Sequence, residues 1–424
     1  MQTLLLAPYF LFASMPSVDA SSVPLSRFLC YPPAMDFAYT KQERRFRKEL
    51  RDFLAKEVPP DIKRRMLGQI ESEDGQAFQR DFVKKLVERD WMAVSWPKDY
   101  GGQAKPAIEQ LIYSWELSYY HMSPGSTGMS VVGPTLIHFG TDEQKKTFLP
   151  LIARGEVNFC LGYTEPNAGS DLASLQTRAD RDGDDWVING QKIFTSGAER
   201  ADYCWLAART DQSAPKHKGI SMFLVDMKLP GISIQPLVTL AGYRTNITYW
   251  DNVRVPAGRL VGEVNRGWYY AAAALDFERI ALFPWGRLEF EFDELVRYCK
   301  ETRRGGKPLS KDFEVRKRIA ALSIELGAMK LLAIRTAWMI GRNRIPNYEA
   351  SMLKMFATEF QQRLSNAGMQ IAGLFGLLPD GAPRAALDGL INYRYRYAVM
   401  PTFGGGSSEL MRNIIAQRGL GLPR

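Results

Sequence analysis

The chain has 424 residues, 46% of them hydrophobic and 12% aromatic, with a formal net charge of +9. That composition excludes a disordered polymer and supplies apolar surface for two or three packed units. The basic clusters at residues 41–51 and 63–65 are mixed with acids in helix-like sequence, so they read as solvated helix faces rather than a nucleic-acid surface, while the positive field favours an anionic substrate.

The four cysteines, Cys30, Cys160, Cys204 and Cys299, and the three histidines, His121, His138 and His217, are widely scattered. They form neither a disulfide framework nor a metal pattern, which points to metal-free chemistry in a reducing, cytoplasmic compartment. The apolar run near the N-terminus, Leu4 to Phe12, is too short to span a bilayer and lacks the positive flank of a secretory signal. No membrane insertion is expected.

Thr40 to Glu57 reads as a helix with Phe46, Leu50, Phe53 and Leu54 on one face, ended by Pro59-Pro60. Phe78 to Glu88 reads as a second helix, with an inner stripe of Phe82, Val83, Leu86 and Val87. Ile108 to Tyr120 and Val131 to Phe139 are further helical candidates, and a helix starting at Asp142 runs into Leu149-Pro150. The first third is therefore an all-helical layer, with His121 and His138 structural or exposed.

From Phe159 the period changes. The stretch Leu161 to Gly197 holds two strand-like runs, and Asn189-Gly190 between Trp186-Val187-Ile188 and Lys192-Ile193-Phe194-Thr195 predicts a hairpin turn. Residues 202–209, 219–226, 233–236 and 245–253 are short β-rich segments, so a compact barrel or sandwich follows. From Trp268 the chain is helical again: Phe277 to Lys300, Phe313 to Trp338, Ala350 to Ile371 and a last helix near Ser407 predict a four-helix bundle.

Several ordered motifs carry a family resemblance: Thr164-Glu165-Pro166 leading to Gly169-Ser170-Asp171, Phe194-Thr195-Ser196, Trp96 to Gly102, and Tyr249 to Leu260. From about Asp36 onward the sequence resembles the acyl-CoA dehydrogenases, flavoenzymes that desaturate acyl-CoA thioesters between Cα and Cβ. The resemblance implies an N-terminal all-helical domain over 35–158, a central β-barrel or sandwich domain over 159–265 and a C-terminal helical bundle over 266–424 that also forms the oligomer interface. Residues 1–34 then read as a misassigned start, with Met35 as the physiological one, or else as an extension in the form of a disordered or loosely attached arm. FAD is the implied cofactor. Tyr163 and Thr164 match residues that hydrogen-bond the polar edge of its ring, and Phe194, Thr195 and Ser196 match the segment on the face away from substrate. By themselves Thr164, Phe194 and Thr195 read first as strand packing and cross-strand pairing; the matching context on both sides turns the reading to the flavin. Gly169 and Ser170 match the substrate loop, though Ser170 also suits a turn.

The reaction needs a carboxylate over the substrate Cα, and most relatives place it just before the last helix. Registering Phe403 to Arg412 through Arg412-Asn413-Ile414-Ile415-Ala416 puts Gly405, after Gly404, at that position. A minority branch carries the base on an internal helix, and Leu275-Asp276-Phe277-Glu278-Arg279 resembles its motif. The resemblance makes Glu278 the base and Gly405 a backbone N–H donor to the thioester carbonyl, with Gly404 and Arg279 beside the substrate; a structural role is the other reading of Arg279. Glu409 reads as a first-turn helix residue.

Two elements that relatives use to hold a neighbour's FAD phosphates are altered. Thr302 stands at the expected arginine, with Arg303 and Arg304 after it, and Gln370 to Gly376 carries Leu374 for a glycine. This resembles the base-bearing chain of heteromeric α2β2 steroid-side-chain acyl-CoA dehydrogenases. It implies a homologous partner subunit, a bulky acyl-CoA substrate and an electron-transfer flavoprotein as acceptor. A homomeric enzyme for short branched or aryl acyl-CoA, and a noncatalytic subunit completing a partner's flavin site, are the alternatives.

Overall fold

The computed structural model describes residues 37–60, 73–123, 127–272 and 285–423. Residues 39–424 form one compact unit, and residues 1–38 are a separate one, of which only 37 and 38 are among the described residues. The expected extension over 1–34, Cys30, Glu278 and Arg279 lie outside the described residues.

The N-terminal helices follow their apolar stripes. Helix α1 (Lys41–Glu57) opens with a capping box in which Thr40 and Glu43 satisfy each other's backbone N–H groups, and it buries Phe46, Leu50, Phe53 and Leu54. Helix α2 (Glu73–Val87) takes in five residues ahead of Phe78 and buries Phe82 and Leu86 of the expected stripe. Helices α3 (Ala107–Tyr119) and α4 (Gly133–Phe139) precede α5 (Asp142–Ala153), which has its own capping box from Thr141 and Gln144. Pro150 does not end α5: it is exposed three residues before the C-terminus, where a missing N–H faces water.

The central domain is one eight-stranded mixed sheet. Its strands are β1 (Phe159–Gly162), β2 (Arg178–Asp182), β3 (Asp185–Ile193), β4 (Tyr203–Arg209), β5 (Ile220–Asp226), β6 (Ile232–Val238), β7 (Arg244–Pro256) and β8 (Leu260–Val261). The order is β6-β7-β3-β2-β4-β5-β8, with β1 parallel to β4. Strands β3 and β5 are not sheet neighbours, yet the Trp186 and Phe223 rings meet at 5.6 Å. The sheet therefore curls over a core of Ile188, Leu206, Phe223, Val225 and Val253. Its other face, with Trp205, Met222 and Leu224, packs in the core of the N-terminal helices.

The Asn189-Gly190 turn expected from sequence is not a hairpin. Strand β3 runs straight through it, with a register shift against β7 between Ile188 and Gly190, while the hairpin turn lies between Asp182 and Asp185 around Gly183. A Cβ on Gly190 would come 2.6 Å from the Thr177 hydroxyl oxygen, and its φ is +149°. The glycine thus serves a β-bulge against a close neighbour rather than a turn.

At residues 267–272 the chain becomes helical again. Helix α6 (Gly286–Glu301) leads into a short hairpin, β9 (Arg303–Arg304) with β10 (Lys307–Pro308), turned by Gly305 and Gly306. The long helices α7 (Phe313–Gly341) and α8 (Asn347–Ala372) follow, then the shorter α9 (Leu390–Tyr397) and α10 (Ser408–Ile414). Leu288, Phe292, Leu326, Met329 and Phe360 share a core with Trp115 of α3. Trp115 Nε1 donates to Glu289 at 2.6 Å, and Lys330 reaches the same carboxylate, so one acidic side chain ties the two helical layers. No helix among the described residues is long and apolar enough to cross a membrane.

Candidate active site

Two segments of the β-domain meet where β1 and β3 end. The Ile193 N–H donates to the Thr164 carbonyl at 2.8 Å, so Tyr163-Thr164 lies beside Phe194-Thr195-Ser196. Tyr163 is buried, its hydroxyl accepting from Trp205 Nε1 at 2.8 Å. Thr195 is also buried: its N–H donates to the Asn246 carbonyl at 2.9 Å and its hydroxyl lies 3.4 Å from that of Thr248. Ser196 pairs with the Thr245 hydroxyl at 2.9 Å.

Phe194 is the outlier. It adopts φ +60° and leaves its side chain 53% exposed. Left-handed backbone at a bulky non-glycine residue is unfavourable by about 1–2 kcal/mol, and this ring gains little burial to offset it. Such strain is kept where the neighbouring structure over-determines it, here by the flanking Ile193 and Thr195 hydrogen bonds. An exposed aromatic plane beside hydroxyls and backbone amides fits a flat heteroaromatic ring.

Beneath this surface lies an ion pair that the residue spacing did not reveal. The fully buried Lys192 ammonium donates to the Glu165 carboxylate at 2.8 Å and to the Tyr163 carbonyl at 3.2 Å. Glu165 also accepts from the N–H groups of Gln176 at 2.6 Å and Thr177 at 2.9 Å. Burial opposes ionisation of Glu165, but Lys192 and these donors hold its pKa below the usual carboxylate range; burial pulls Lys192 below its ordinary value against the attraction of Glu165. A strand lysine among alternating residues gave no sign of this: pairing depends on Glu165, 27 residues away, folding back.

Gly169 and Ser170 are exposed just beyond the Glu165–Ala168 bridge. Their loop is fastened by Asp171, which pairs with Lys216 at 2.8 Å and accepts from the Ser174 hydroxyl at 2.5 Å. The Lys216 contact is the first cause of the lowered Asp171 pKa.

On the C-terminal side, Gly404, Gly405 and Gly406 form an exposed to half-buried bend before α10, with φ +67° at Gly405 and +100° at Gly406. A Cβ on Gly405 would meet nothing within 4 Å. Ser407 caps α10, its hydroxyl accepting from Leu410 N–H at 3.2 Å. Glu409 is exposed in the first turn, and its own backbone N–H, Ser407 and neighbouring cations hold its pKa low. Helix α9 joins this half to the β-domain: Arg396 donates to the Leu240 carbonyl at 2.8 Å, and the Tyr397 ring meets Tyr243 at 6.3 Å, just before Thr245 and Asn246.

The two altered phosphate elements also come together. Arg304 donates to the Ile371 carbonyl at 2.8 Å, beside Gly373, and Leu374 is 80% exposed. Arg303 is turned to the Gly306 carbonyl at 2.9 Å, and the Gln370 side chain accepts from Arg318.

Comparison with known proteins agrees with this arrangement. Models of the acyl-CoA dehydrogenase N-terminal, middle and C-terminal domains match residues 40–156, 160–253 and 265–420. The acyl-CoA dehydrogenase FadE26 of Mycobacterium tuberculosis is 37% identical over 398 residues, covering 92% of this chain and 99% of the relative. The chain belongs to the acyl-CoA dehydrogenase family. It is an oxidoreductase whose cofactor is FAD. Among solved structures, one described as the Tcur3481-Tcur3483 steroid acyl-CoA dehydrogenase is 38% identical, with TM-score 0.84 over 92% of this chain and 100% of that one. The ChsE4-ChsE5 complex from Mycobacterium tuberculosis gives 37% identity and TM-score 0.83 over 92% and 100%.

Proposed function

We propose that this acyl-CoA dehydrogenase is the base-bearing subunit of a heteromeric enzyme acting on a bulky, steroid-side-chain acyl-CoA. The reading rests above all on the Gly405 bend. The position that would carry a carboxylate in most relatives has no side chain, opens onto space, and is followed by an acid, Glu409, that is solvated on a helix end. The base must then come from elsewhere in the chain, and Glu278, outside the described residues, has the matching sequence context.

In this reading Glu278 takes the substrate α-proton. The Gly405 N–H donates to the thioester oxygen and stabilises the negative charge that gathers there as the Cα–H bond breaks. Gly169, Ser170, Gly404 and Arg279 line the path of the acyl-CoA. Tyr163, Thr164, Phe194, Thr195 and Ser196 hold the ring of FAD, which supplies the acceptor for the β-hydride. Phe194 offers the apolar plane, and Thr164 and the neighbouring backbone its polar edge. The domain limits are 35–158, 159–265 and 266–424.

Two similar solved structures are described by paired names, one as a steroid enzyme and the other as a complex. Leu374 projecting beside Arg304, where a diphosphate would need close backbone N–H groups, supports the same assignment. A homologous partner in an α2β2 assembly then completes the flavin sites, with about two FAD per four chains. An electron-transfer flavoprotein is the proposed acceptor; one relative is named as a subunit of a caffeyl-CoA reductase-Etf complex. The test is rapid mixing of the FAD-loaded assembly with a steroid-side-chain acyl-CoA. Glu278→Gln should retain flavin yet bleach it at least ~10³-fold more slowly, in keeping with loss of a positioned base. Bleaching within a few fold of wild type removes Glu278 from the role.

A further inference from the structure

Two lysines, Lys192 and Lys354, stand among the largest fully buried side chains. A lysine is seldom buried without a specific partner. The first braces the Tyr163 side of the site; the second lies under the glycine bend. Lys354, on α8, donates from its ammonium to the Gly406 carbonyl at 2.5 Å. Eight residues along the same helix, Gln362 Nε2 reaches the Thr402 hydroxyl at 3.5 Å. Between them Thr358 turns its hydroxyl back to the Lys354 carbonyl at 3.0 Å. Positions spaced by four share a helix face, so one row of α8 underlies the whole of 402–406.

A run of three glycines is the most deformable backbone available, and it populates many φ/ψ states when untethered. A backbone N–H that must point at one developing charge needs that freedom removed before the reaction. Among the described residues, the bend is held by the Gly404 N–H donating to the Met400 carbonyl at 2.9 Å, by Ser407 capping α10, and by Lys354 at the Gly406 carbonyl. The lysine fixes the Gly406–Ser407 peptide, and so closes the far side of the glycine run whose near side is held at Gly404, and it brings a positive charge to the same bend.

We propose that Lys354 is a positioning residue that orients the Gly405 N–H and so sets how strongly the substrate thioester carbonyl is polarised. This rests on the Gly405 reading above. The test uses the FAD-loaded assembly and cinnamoyl-CoA, a conjugated thioester whose absorption moves to longer wavelength as its carbonyl oxygen accepts stronger hydrogen bonds. Wild-type binding sets the reference shift. Lys354→Met is expected to keep its flavin and its melting temperature to within a few degrees, to lose at least half of the shift, and to lower kcat ~10–100-fold with a smaller change in KM. Lys354→Arg, which keeps charge in a different geometry, should fall between the two, and it decides the matter if the methionine variant does not retain flavin.

A full wild-type shift in a flavin-loaded Lys354 variant overturns the proposal. The wild-type shift separates this from failure of the underlying reading: cinnamoyl-CoA that binds the flavin-loaded wild type with no move to longer wavelength removes the Gly405 assignment, whereas a wild-type shift that the Lys354 variants keep in full leaves Gly405 standing and removes Lys354.

Discussion

Replacing Lys192 by methionine tests the link between the buried ion pair and the ring-facing surface. The change keeps most of the side-chain volume but leaves Glu165, 7% exposed, with two backbone donors and no cation. Removing one partner of a buried pair is destabilising by about 3–5 kcal/mol. For 424 residues, an unfolding entropy of about 2.1 cal/mol/K per residue gives roughly 0.9 kcal/mol/K, so the apoprotein should melt about 3–6 °C lower near neutral pH.

The pH dependence should also change sign. In the wild-type protein Glu165 has a depressed pKa, so its contribution is present above the unfolded value, near ~4.3, and fades as pH falls through the folded one. In Lys192→Met, burial is no longer opposed by the ammonium and raises that pKa. The penalty is then full above the folded pKa and is relieved as pH falls toward the unfolded value. Melting scans of both proteins between about pH 3 and 8, with Glu165→Gln/Lys192→Met as the uncharged control, separate the cases. Equal melting temperatures and parallel pH profiles would refute the argument that this pair braces the Tyr163 strand.

Phe194→Gly should relieve the left-handed strain and raise apoprotein stability by up to ~1 kcal/mol, while removing an exposed ring and speeding FAD release about tenfold, as read by flavin fluorescence. A neutral effect on FAD release would remove Phe194 from the flavin surface. Gly405→Glu in the Glu278→Gln background places a carboxyl at the tail bend, where the first added carbon meets no atom within 4 Å. Steady-state assay with a short acyl-CoA should show at least ~10-fold recovery over the single variant, despite ~1–2 kcal/mol of backbone strain at φ +67°. Co-purification with the candidate homologous partner should give about two FAD per four chains by absorbance and native mass; a fully flavin-loaded, active homotetramer of this chain alone contradicts the heteromeric assignment.

Local chemistry alone determined much of this protein. The capping residues Thr40 and Thr141, the apolar stripe of α1 and the change to short β-rich segments at Phe159 are properties of neighbouring residues, and they set the helical, β and helical order. The ordered motifs around Tyr163, Phe194 and Gly405 likewise pointed to acyl-CoA dehydrogenase chemistry. Tertiary structure decided what depends on distant chain. It turned Asn189-Gly190 from a hairpin into a bulge because Thr177 packs against Gly190, and it paired Lys192 with Glu165. It also placed Lys354 under Gly406, 52 residues further on. A buried charge looks like any other polar letter in sequence. Only the fold supplies the partner that makes burying it tolerable, and the site's rigidity is built from such partners.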